Sequence, residues 1–366
     1  MPPSDSPMPR RRVAVVGGGI NGIMSAWALR GRGCEVEVFE AGEVMGATSS
    51  ASTKLLHGGL RYLEHGSFRL VREALAERGW WLSQAPHLCH AIELLLPVRA
   101  PGGRARWKLR AGLWLYDRLA GRNAIRPHRW LDRDAALDAM PQLRPEGLLG
   151  AFSFWDGQMD DLELGRWAAD RAREAGVRIH ERSPVDTVAA DGTVQGQVGS
   201  ARYDLIVNVA GPWAAELLVR SGIRSNYRLD LVRGSHLVTN RPCKHGVLAE
   251  VPGDRRIGFV LPWKGGTLVG TTEVRQDGPS GAACSPDERG YIRRFHDSVL
   301  RSPLRDDEIT GSFAGVRPLI RSADDPSRAT REYAIERVGR LVTVFGGKWT
   351  TARALGERVA QEVERL

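Results

Sequence analysis

Apolar and polar positions near the start of the chain follow two different periods. Val13–Val16 is a continuous run of β-branched and small apolar residues, which is typical of a strand buried on both faces of a sheet. A second run, Glu35–Phe39, predicts another strand. Between the two runs, apolar residues recur with the spacing of one buried helix face, namely Ile20, Ile23, Met24, Trp27 and Ala28. The pattern therefore predicts a strand, a helix and a second strand in immediate succession.

Later parts of the chain predict two further groups of elements. Helical pattern or composition marks residues 67–84, Lys108–Leu119, Leu162–Glu174 and Thr350–Leu366. Short apolar runs predict strands at Val177–His180, Val185–Val188, Tyr203–Val209 and Arg340–Val344. Alternating candidates follow one another within residues 228–275 and predict an antiparallel sheet, made of Leu229–Val238, Ile257–Leu261 and Thr267–Thr271. The fold class is therefore expected to be α/β with an additional antiparallel sheet.

Composition narrows the class of protein. The chain has 366 residues, of which 42% are hydrophobic and 26% charged, as in a folded soluble protein with room for two domains. No apolar run approaches the roughly 20 residues that span a bilayer, and no signal peptide precedes the first strand. The four cysteines lack CxxC spacing and the histidines show no metal-ligand pattern, so we expect neither a disulfide framework nor a metal site. These features predict a cytoplasmic protein.

The charge balance is basic. Lys and Arg outnumber Asp and Glu by 52 to 43, which gives a formal net charge of +9. Such a balance suits nucleic acid, an anionic membrane surface or small anionic substrates. Because acidic residues are interspersed among the basic ones, we expect no nucleic-acid binding.

The first predicted strand runs directly into a glycine motif. Gly17, Gly19 and Gly22 form GxGxxG, with Ile20 and Asn21 at the start of the predicted helix. Such glycines permit a tight turn and let backbone N–H groups approach a pyrophosphate at the helix N-terminus. Glu40 ends the second strand, near the position where an acid accepts the ribose hydroxyls of an adenine dinucleotide. This unit disfavours NADP and leaves FAD, NAD or a turn without a ligand as the alternatives.

The next loop favours a flavin. Residues 47–64 read ATSSASTKLLHGGLRYLE, whose first half is small and polar and whose second half contains a lysine, a histidine and two glycines. With the glycine motif, this loop resembles that of the FAD-dependent glycerol-3-phosphate dehydrogenases, a family of D-amino-acid-oxidase-like flavoproteins. The resemblance continues, in the family's order over nearly the whole chain, through Arg69–Arg78, Ala85–Leu88, Val207–Trp213, Gly234–His236, Leu261–Trp263, Gly270–Thr272, Gly315–Leu319 and Phe345–Thr351.

Several positions depart from the family pattern. Typical bacterial members continue into a helical C-terminal domain, whereas this sequence ends at Leu366 and is expected to be a short form. Glu163 stands where the pattern usually has arginine, Trp349 where it has leucine, and Ala352 where it has tyrosine. These departures leave the substrate, the electron acceptor and membrane association open.

The resemblance implies a Rossmann-type FAD-binding domain, discontinuous in sequence, and an antiparallel-sheet substrate-binding (cap) domain. The first is expected to comprise residues 10–88, 145–226 and 325–366, and the second residues 89–144 and 227–324. Besides the glycine motif and Glu40, the resemblance places the following residues at noncovalently bound FAD: Ala41, Thr48, Ser49, Ser50, Lys54, Leu55, His57, Gly58, Gly59, Val185, Ala210, Gly211, Gly347, Lys348, Trp349 and Thr350.

The same resemblance places five residues around the substrate: Arg61, Tyr62, His236, Arg317 and Lys348. Several cations in such a set favour a phosphorylated or phosphonate substrate, because a phosphate dianion needs cationic donors, preferably including arginine. Of these residues, His236, Lys348 and Arg317 are expected to be catalytic. His236 is the preferred base because the unperturbed pKa of histidine lies near neutral pH, and Lys348 is the alternative.

The expected reaction is the oxidation of sn-glycerol 3-phosphate to dihydroxyacetone phosphate, with hydride transfer to flavin N5. One alternative is the oxidation of another small phosphate, phosphonate or amine; another is a flavin-binding subunit that needs a partner chain. The electron acceptor is left as quinone, oxygen or a carrier protein, and a monomer or dimer is expected. Trp107, Trp114 and nearby basic residues in Arg104–Leu119 allow a peripheral contact with the inner face of the membrane, although packing within the substrate domain is the favoured explanation.

Overall fold

The computed structural model describes residues 10–100, 104–197, 199–254, 256–321 and 333–365. The helices of this described part are α1 (Ile20–Gly31), α2 (Phe68–Gln84), α3 (Arg106–Ala120), α4 (Arg133–Ala139), α5 (Asp161–Glu174), α6 (Ala214–Arg220), α7 (Pro286–Val299) and α8 (Ala352–Glu364). Short 3-10 helices occupy Thr48–Ser50, Leu60–His65, Gly121–Asn123, Gly211–Trp213 and Asp306–Glu308.

The strands of the first half are β1 (Arg12–Val16), β2 (Glu35–Phe39), β3 (Leu55–Leu56), β4 (Cys89–Arg99), β5 (Arg129–Asp132), β6 (Leu148–Met159), β7 (Arg178–His180), β8 (Val185–Val188), β9 (Thr193–Gly196) and β10 (Gly199–Arg202). Those of the second half are β11 (Leu205–Asn208), β12 (Leu229–Thr239), β13 (Gly246–Glu250), β14 (Ile257–Trp263), β15 (Gly266–Gly270), β16 (Val274–Arg275), β17 (Ile309–Ile320), β18 (Tyr333–Val338) and β19 (Leu341–Gly346).

The chain divides into two compact units. The first unit contains the described residues of Met1–Ser50, Gly165–Asp230 and Pro318–Leu366, and the second contains those of Ala51–Leu164 and Leu231–Arg317. Each unit has its own sheets and its own buried apolar residues. Both units are therefore assembled from segments that are distant in sequence.

The first unit is built on a six-stranded sheet with the order β18-β19-β11-β1-β2-β7. The pairs β19–β11, β11–β1, β1–β2 and β2–β7 are parallel, and only the edge pair β18–β19 is antiparallel. Val13, Ala14 and Val15 in β1 are fully buried, as expected for a central parallel strand covered on both faces. A separate three-stranded antiparallel sheet, β10-β9-β8, follows β7 in the chain.

Helix α1 has the predicted position, but its buried face is wider than the pattern indicates. Ile20, Ile23 and Met24 are buried as predicted, and so are Ala26 and Leu29, whereas Trp27 and Ala28 are half-buried. The reason is a second packing partner: a Cβ on Gly356 in α8 would lie 2.5 Å from the Met24 carbonyl oxygen. The two helices thus approach closely, and α1 is covered on more than one side.

The second unit is built on a ten-stranded, mainly antiparallel sheet with the order β16-β12-β15-β14-β13-β4-β6-β3, to which β17 adds beside β12 and β5 beside β6. Strands β4 and β6 of this sheet pair antiparallel along all eleven residues of β4. Two apolar clusters form the core of this unit; one surrounds Phe295 of α7, and the other surrounds Phe152 and Phe154 of β6. The predicted fold class, a Rossmann-type sheet together with an antiparallel sheet, is confirmed.

The structural units differ from the predicted domains over two long segments and two short ones. The short ones, 227–230 and 318–321, are predicted for the cap domain and belong here to the first unit. Residues 51–88 and 145–164 are predicted to belong with the FAD-binding domain, but here they belong to the second unit. Strand pairing explains the difference, because β3 and β4 both pair with β6. The predicted boundary between residues 324 and 325 lies outside the described residues. As a statement about FAD contacts, the predicted division stays a prediction.

Candidate active site

The glycine motif in the first unit forms a tight turn between β1 and α1. Gly17 has a φ of +113°, and a Cβ on it would lie 2.6 Å from the Val209 carbonyl oxygen. A Cβ on Gly22 would lie only 1.9 Å from the carbonyl oxygen of Gly17. These two positions therefore require glycine for different reasons: backbone conformation and close backbone approach at Gly17, and close approach alone at Gly22.

Glu40 reaches this turn from the end of β2. Its carboxylate accepts hydrogen bonds from the backbone N–H of Gly18, at 2.6 Å, and from that of Gly42, at 2.8 Å. Each carboxylate oxygen has further acceptor capacity, since an ionised carboxylate offers about four lone-pair sites. Glu40 is half-buried and lies at the carboxyl edge of the parallel sheet. This is the side of a parallel sheet on which nucleotides bind.

Ser49 and Trp349 meet at the N-terminus of α1. The Ser49 hydroxyl accepts from the backbone N–H of Ile20 at 3.0 Å, and the Trp349 indole N–H donates to the Ser49 carbonyl oxygen at 2.9 Å. Close by, a Cβ on Gly347 would lie 2.5 Å from the Asn21 side-chain nitrogen. The sequence-predicted segments 17–22, 48–50 and 347–350 are thus brought together within this unit.

The remaining predicted residues of the first unit occupy several environments. Ala210 and Gly211 directly follow β11, and a Cβ on Gly17 would lie 2.9 Å from the Ala210 Cα atom. Val185 is buried in a core cluster that also includes Phe39. Ala41 is exposed, and Thr48, Ser50, Lys348 and Thr350 lie in the segments just described.

His236 is the most deeply buried titratable residue predicted for the site of the second unit. It lies on β12, opposite Gly270 of β15, and is 1% exposed. Its ring stacks on Phe313 with 4.9 Å between centroids, and its Nε2 atom is 3.0 Å from the Thr53 hydroxyl. Its Nδ1 atom is buried and has no hydrogen-bond partner among the described residues. Burial, with the nearby charges of Arg317 and Lys54, lowers the pKa of His236 to about 3.

Arg317 lies beside the same strands. Its guanidinium donates to the Thr271 hydroxyl at 3.0 Å and lies 3.4 Å from the Glu273 carboxylate. A Cβ on Gly234 would lie 2.3 Å from the guanidinium, so glycine at that position makes room for Arg317. The second unit therefore brings Arg317 and His236, two of the three predicted catalytic residues, into one region.

Buried hydrogen bonds hold the backbone next to both residues. The Glu288 carboxylate accepts from the hydroxyls of Ser235 and Thr272, at 2.8 and 2.6 Å. Burial alone would raise the pKa of Glu288, but these bonds and others from Arg233 and Ser285 lower it to about 2. Ser235 precedes His236, and Thr272 follows the residue that binds Arg317, so an ionised Glu288 ties the two neighbouring segments together.

Lys54 lies closer to His236 than the sequence indicates. It is buried, has a φ of +61°, and forms an ion pair with Asp161 at 2.5 Å. Its ammonium group also lies 4.8 Å from the centroid of the Phe313 ring on which His236 stacks. Sequence reasoning placed Lys54 only at the cofactor; in the structure its charge is shared with Asp161 and contributes to the low pKa of His236.

Arg61 and Tyr62 lie on the 3-10 helix Leu60–His65 that follows the two glycines of the loop. Both are half-buried, and Tyr62 packs against a core cluster of the second unit. Leu55, His57, Gly58 and Gly59 lead into this helix from β3. Gly59 has a φ of +75°, so the chain turns sharply there.

Sequence reasoning missed several residues that shape this region. Thr53, Thr271 and Phe313 contact His236 or Arg317, and each comes from a different part of the chain. Threonine and phenylalanine are also common structural residues, so residue type alone does not indicate that these positions belong to a functional site. Thr271 was visible only as part of the Gly270–Thr272 motif, and the strand pairing that places it beside β12 is a long-range feature.

Comparison with known proteins identifies the family. The sequence matches the family described as FAD dependent oxidoreductase over residues 12–362. The chain belongs to this family. It is an FAD-dependent oxidoreductase, as predicted, and FAD is its cofactor.

Three relatives show how far the similarity extends. The chain is 37% identical to a glycerol-3-phosphate dehydrogenase of Pseudomonas aeruginosa, over 96% of this chain and 71% of that protein. It is 36% identical to a D-erythritol 1-phosphate dehydrogenase of Brucella abortus, over 96% of this chain and 73% of that protein. The structure of a Bacillus halodurans glycerol-3-phosphate dehydrogenase complexed with FAD superposes with a TM-score of 0.76 at 25% identity, over 98% of this chain and 66% of that one.

The first unit fits the adenine-dinucleotide part of FAD. Gly19 provides no side-chain cap, and Ser49 accepts from the Ile20 N–H, so the N–H groups of Asn21 and Gly22 are those that a pyrophosphate at this helix N-terminus would bind. The buried Asn21 side-chain oxygen has no hydrogen-bond partner among the described residues, and a ligand hydroxyl would satisfy it. Together with Glu40, these groups match the donor and acceptor pattern of the cofactor.

Proposed function

We propose that the chain oxidises sn-glycerol 3-phosphate to dihydroxyacetone phosphate. The observation that carries the proposal is the pairing of Arg317 with a neutral, buried His236 in the second unit. An arginine is suited to a phosphate dianion, and a neutral imidazole is suited to accept the proton of a hydroxyl group. The relatives named glycerol-3-phosphate dehydrogenase support the substrate assignment. FAD, when bound, supplies the acceptor for the hydride that leaves the substrate carbon.

Arg317 is proposed to bind the substrate phosphate, with Arg61, Tyr62 and Lys348 as further substrate contacts. The guanidinium of Arg317 lies beside Thr271 and Glu273, and its planar set of N–H donors matches the several acceptor oxygens of a phosphate. Thr271 fixes its orientation, which lowers the conformational cost of binding. The predicted cofactor contacts, from Gly17 to Thr350, are part of the same proposal.

His236 is proposed as the base. With Nε2–H donating to the Thr53 hydroxyl, the lone pair of Nδ1 stays available for the proton of the substrate hydroxyl. The pKa of about 3 favours the neutral ring before substrate binds. A bound phosphate dianion beside Arg317 would offset the positive charge that lowers this pKa, and would thereby make the imidazole a better base. Lys348 remains the alternative base.

The test is anaerobic mixing of the purified protein with glycerol 3-phosphate while the flavin absorbance is followed at about 450 nm. Rapid loss of absorbance is expected. Glycerol, which has the same hydroxyl groups but no phosphate, is the matched control and should leave the flavin oxidised. No reduction of bound FAD by glycerol 3-phosphate would contradict the proposal.

A larger polyol phosphate is the second candidate substrate. The 36% identity to a D-erythritol 1-phosphate dehydrogenase favours it over phosphonates and amines. Parallel reduction experiments with erythritol 1-phosphate would distinguish the two, since the preferred substrate should show the higher ratio of reduction rate to half-saturating concentration. If neither substrate reduces the flavin until a second chain is added, the chain is instead a subunit that requires a partner.

The electron acceptor is proposed to be oxygen, a quinone or a carrier protein, and each can be tested on the reduced enzyme. Admitting air after anaerobic reduction measures reoxidation by oxygen, and a water-soluble quinone measures reoxidation by quinone. Sedimentation of the holoenzyme would establish whether it is the expected monomer or dimer.

Helix α3 is the candidate for a peripheral membrane contact. Within the described chain no helix is long and apolar enough to cross a membrane. Leu113, Tyr116 and Ala120 of α3 are buried, whereas Trp107 and Trp114 are 69% and 54% exposed among basic residues. Cosedimentation with vesicles containing phosphatidylglycerol, compared with pure phosphatidylcholine, tests this contact. Replacing both tryptophans by alanine should abolish binding to the anionic vesicles.

A further inference from the structure

A buried polar network fixes the backbone at Gly58, which lies just before the 3-10 helix Leu60–His65 of the second unit. The backbone N–H of Gly58 donates to the Tyr116 hydroxyl at 2.8 Å and more weakly to Asp156 Oδ1 at 3.3 Å. That hydroxyl donates in turn to the Asp156 carboxylate, with distances of 2.8 and 2.9 Å to its two oxygens. Arg78 completes the network with a 2.8 Å ion pair to Asp156.

The network is isolated from solvent, and its environment keeps the Tyr116 hydroxyl protonated. The side chains of Arg78 and Asp156 are 2% and 4% exposed, and Tyr116 is 2% exposed. Burial and the adjacent Asp156 carboxylate raise the pKa of Tyr116 well above its usual value, so its hydroxyl stays protonated. Its proton points to Asp156, which leaves the oxygen lone pair for the Gly58 N–H.

The location of Gly58 gives this contact its importance. A Cβ on Gly58 would lie 2.5 Å from the Tyr116 hydroxyl and 2.4 Å from a Leu75 methyl group. The following residue, Gly59, has a left-handed backbone and caps the 3-10 helix that carries Arg61 and Tyr62. His57 precedes Gly58 in the predicted flavin loop. The orientation of the Gly58 peptide therefore sets the direction of the chain on both sides.

We propose that Tyr116 is a positioning residue, which acts through the Gly58 N–H to fix the loop predicted to contact FAD and the helix predicted to contact substrate. This proposal rests on the proposed function, because the roles of His57, Arg61 and Tyr62 belong to it. Asp156 and Arg78 hold Tyr116 in place. The network connects residues that are 58 and 98 positions from Gly58 in sequence, so the loop is set by the core of its own unit.

The test compares Tyr116→Phe with Tyr291→Phe in the holoenzyme. Tyr291 is the matched control: it lies in the same unit and donates its hydroxyl to the Asp254 carboxylate at 3.2 Å. Two properties are measured, namely the dissociation of FAD on dilution, from the returning flavin fluorescence, and the hydrogen exchange of backbone amides in residues 55–62. Tyr116→Phe should weaken FAD retention roughly tenfold and speed exchange in this segment, because a buried N–H loses its best acceptor.

Tyr291→Phe should change neither property. Equal FAD retention in the two variants would overturn the proposal, as would unaltered exchange in residues 55–62 of Tyr116→Phe. Faster exchange throughout the second unit of Tyr116→Phe would also overturn it, because the hydroxyl would then support the unit in general. Failure of glycerol 3-phosphate to reduce the wild-type flavin would refute the proposed function alone, since FAD retention and amide exchange are measured without substrate.

Discussion

The candidate cofactor region of the first unit and the candidate catalytic region of the second unit are built from different kinds of chemical group. In the first unit, the groups predicted to bind the cofactor are mostly backbone groups of a glycine turn. Glu40 and Ser49 are bonded to the backbone of that turn. In the second, buried side chains predominate, and charged or titratable groups such as His236, Lys54 and Asp161 lie in contact with one another or with shared neighbours. A backbone turn is disrupted when a side chain adds volume to it, whereas a cluster of buried side chains is disrupted when one charged partner is removed. The two units should therefore fail under different substitutions.

Gly22→Ala should have the largest effect. The new Cβ would lie 1.9 Å from the Gly17 carbonyl oxygen, which is backbone and cannot move without opening the turn. We expect the purified variant to contain almost no FAD, measured as the ratio of flavin to protein absorbance. Gly31→Ala, at the other end of the same helix, is the control, because a Cβ there meets nothing within 4 Å. A Gly22→Ala protein with normal flavin content would show that the turn is not the cofactor site.

Asp156→Ala tests the buried charges of the second unit. The substitution leaves Arg78 buried without its carboxylate, and breaking a buried ion pair on one side costs about 3–5 kcal/mol. Denaturant unfolding of the variant should show this loss in the free energy of unfolding. Asp134→Ala is the control, because its ion pair with Arg133 is on the surface, with an Asp134 side chain 89% exposed, and should contribute less than about 1 kcal/mol. Similar losses in both variants would remove the contrast between buried and exposed charges.

The difference between a local backbone turn and a cluster of side chains from distant segments also explains what could be predicted from the sequence. The turn from Gly17 to Glu40 lies within one short strand–helix–strand segment, and its glycines are required by local geometry, so a local pattern identifies it. The surroundings of His236 depend on Thr53, Phe313 and Lys54, which meet only because distant strands pair. The family resemblance indicated His236 and Arg317 as residues but gave no protonation state. The pKa of His236 follows from burial and from neighbouring cations, neither of which a single sequence displays.

His236→Ala should lower the rate of flavin reduction by glycerol 3-phosphate roughly a hundredfold, the usual size of a general-base contribution. Flavin content should stay normal, since the first unit is expected to hold the dinucleotide. Stopped-flow reduction at saturating substrate measures the rate. His90→Ala, on an exposed position of β4, is the control and should reduce at the wild-type rate. Near-normal reduction in His236→Ala would exclude it as the base and favour Lys348.

Lowering the pH should reduce the free energy of unfolding through His236, by less than the Asp156→Ala substitution does. The pKa of the buried ring is about 3, against about 6.5 in the unfolded chain, so between these values the unfolded state binds the extra proton and stability falls as pH falls. With about 1.4 kcal/mol for each pH unit below 6.5, the loss from this group at pH 5 is about 2 kcal/mol. Denaturant unfolding of wild type and His236→Asn at pH 7 and pH 5 measures it. The variant should lose less stability on acidification, and the difference should vanish between pH 7 and pH 8, where the ring is neutral in both states. Parallel losses in the two proteins would mean that the imidazole has the same pKa in the folded and unfolded states, and the lowered pKa of the buried ring would then be wrong.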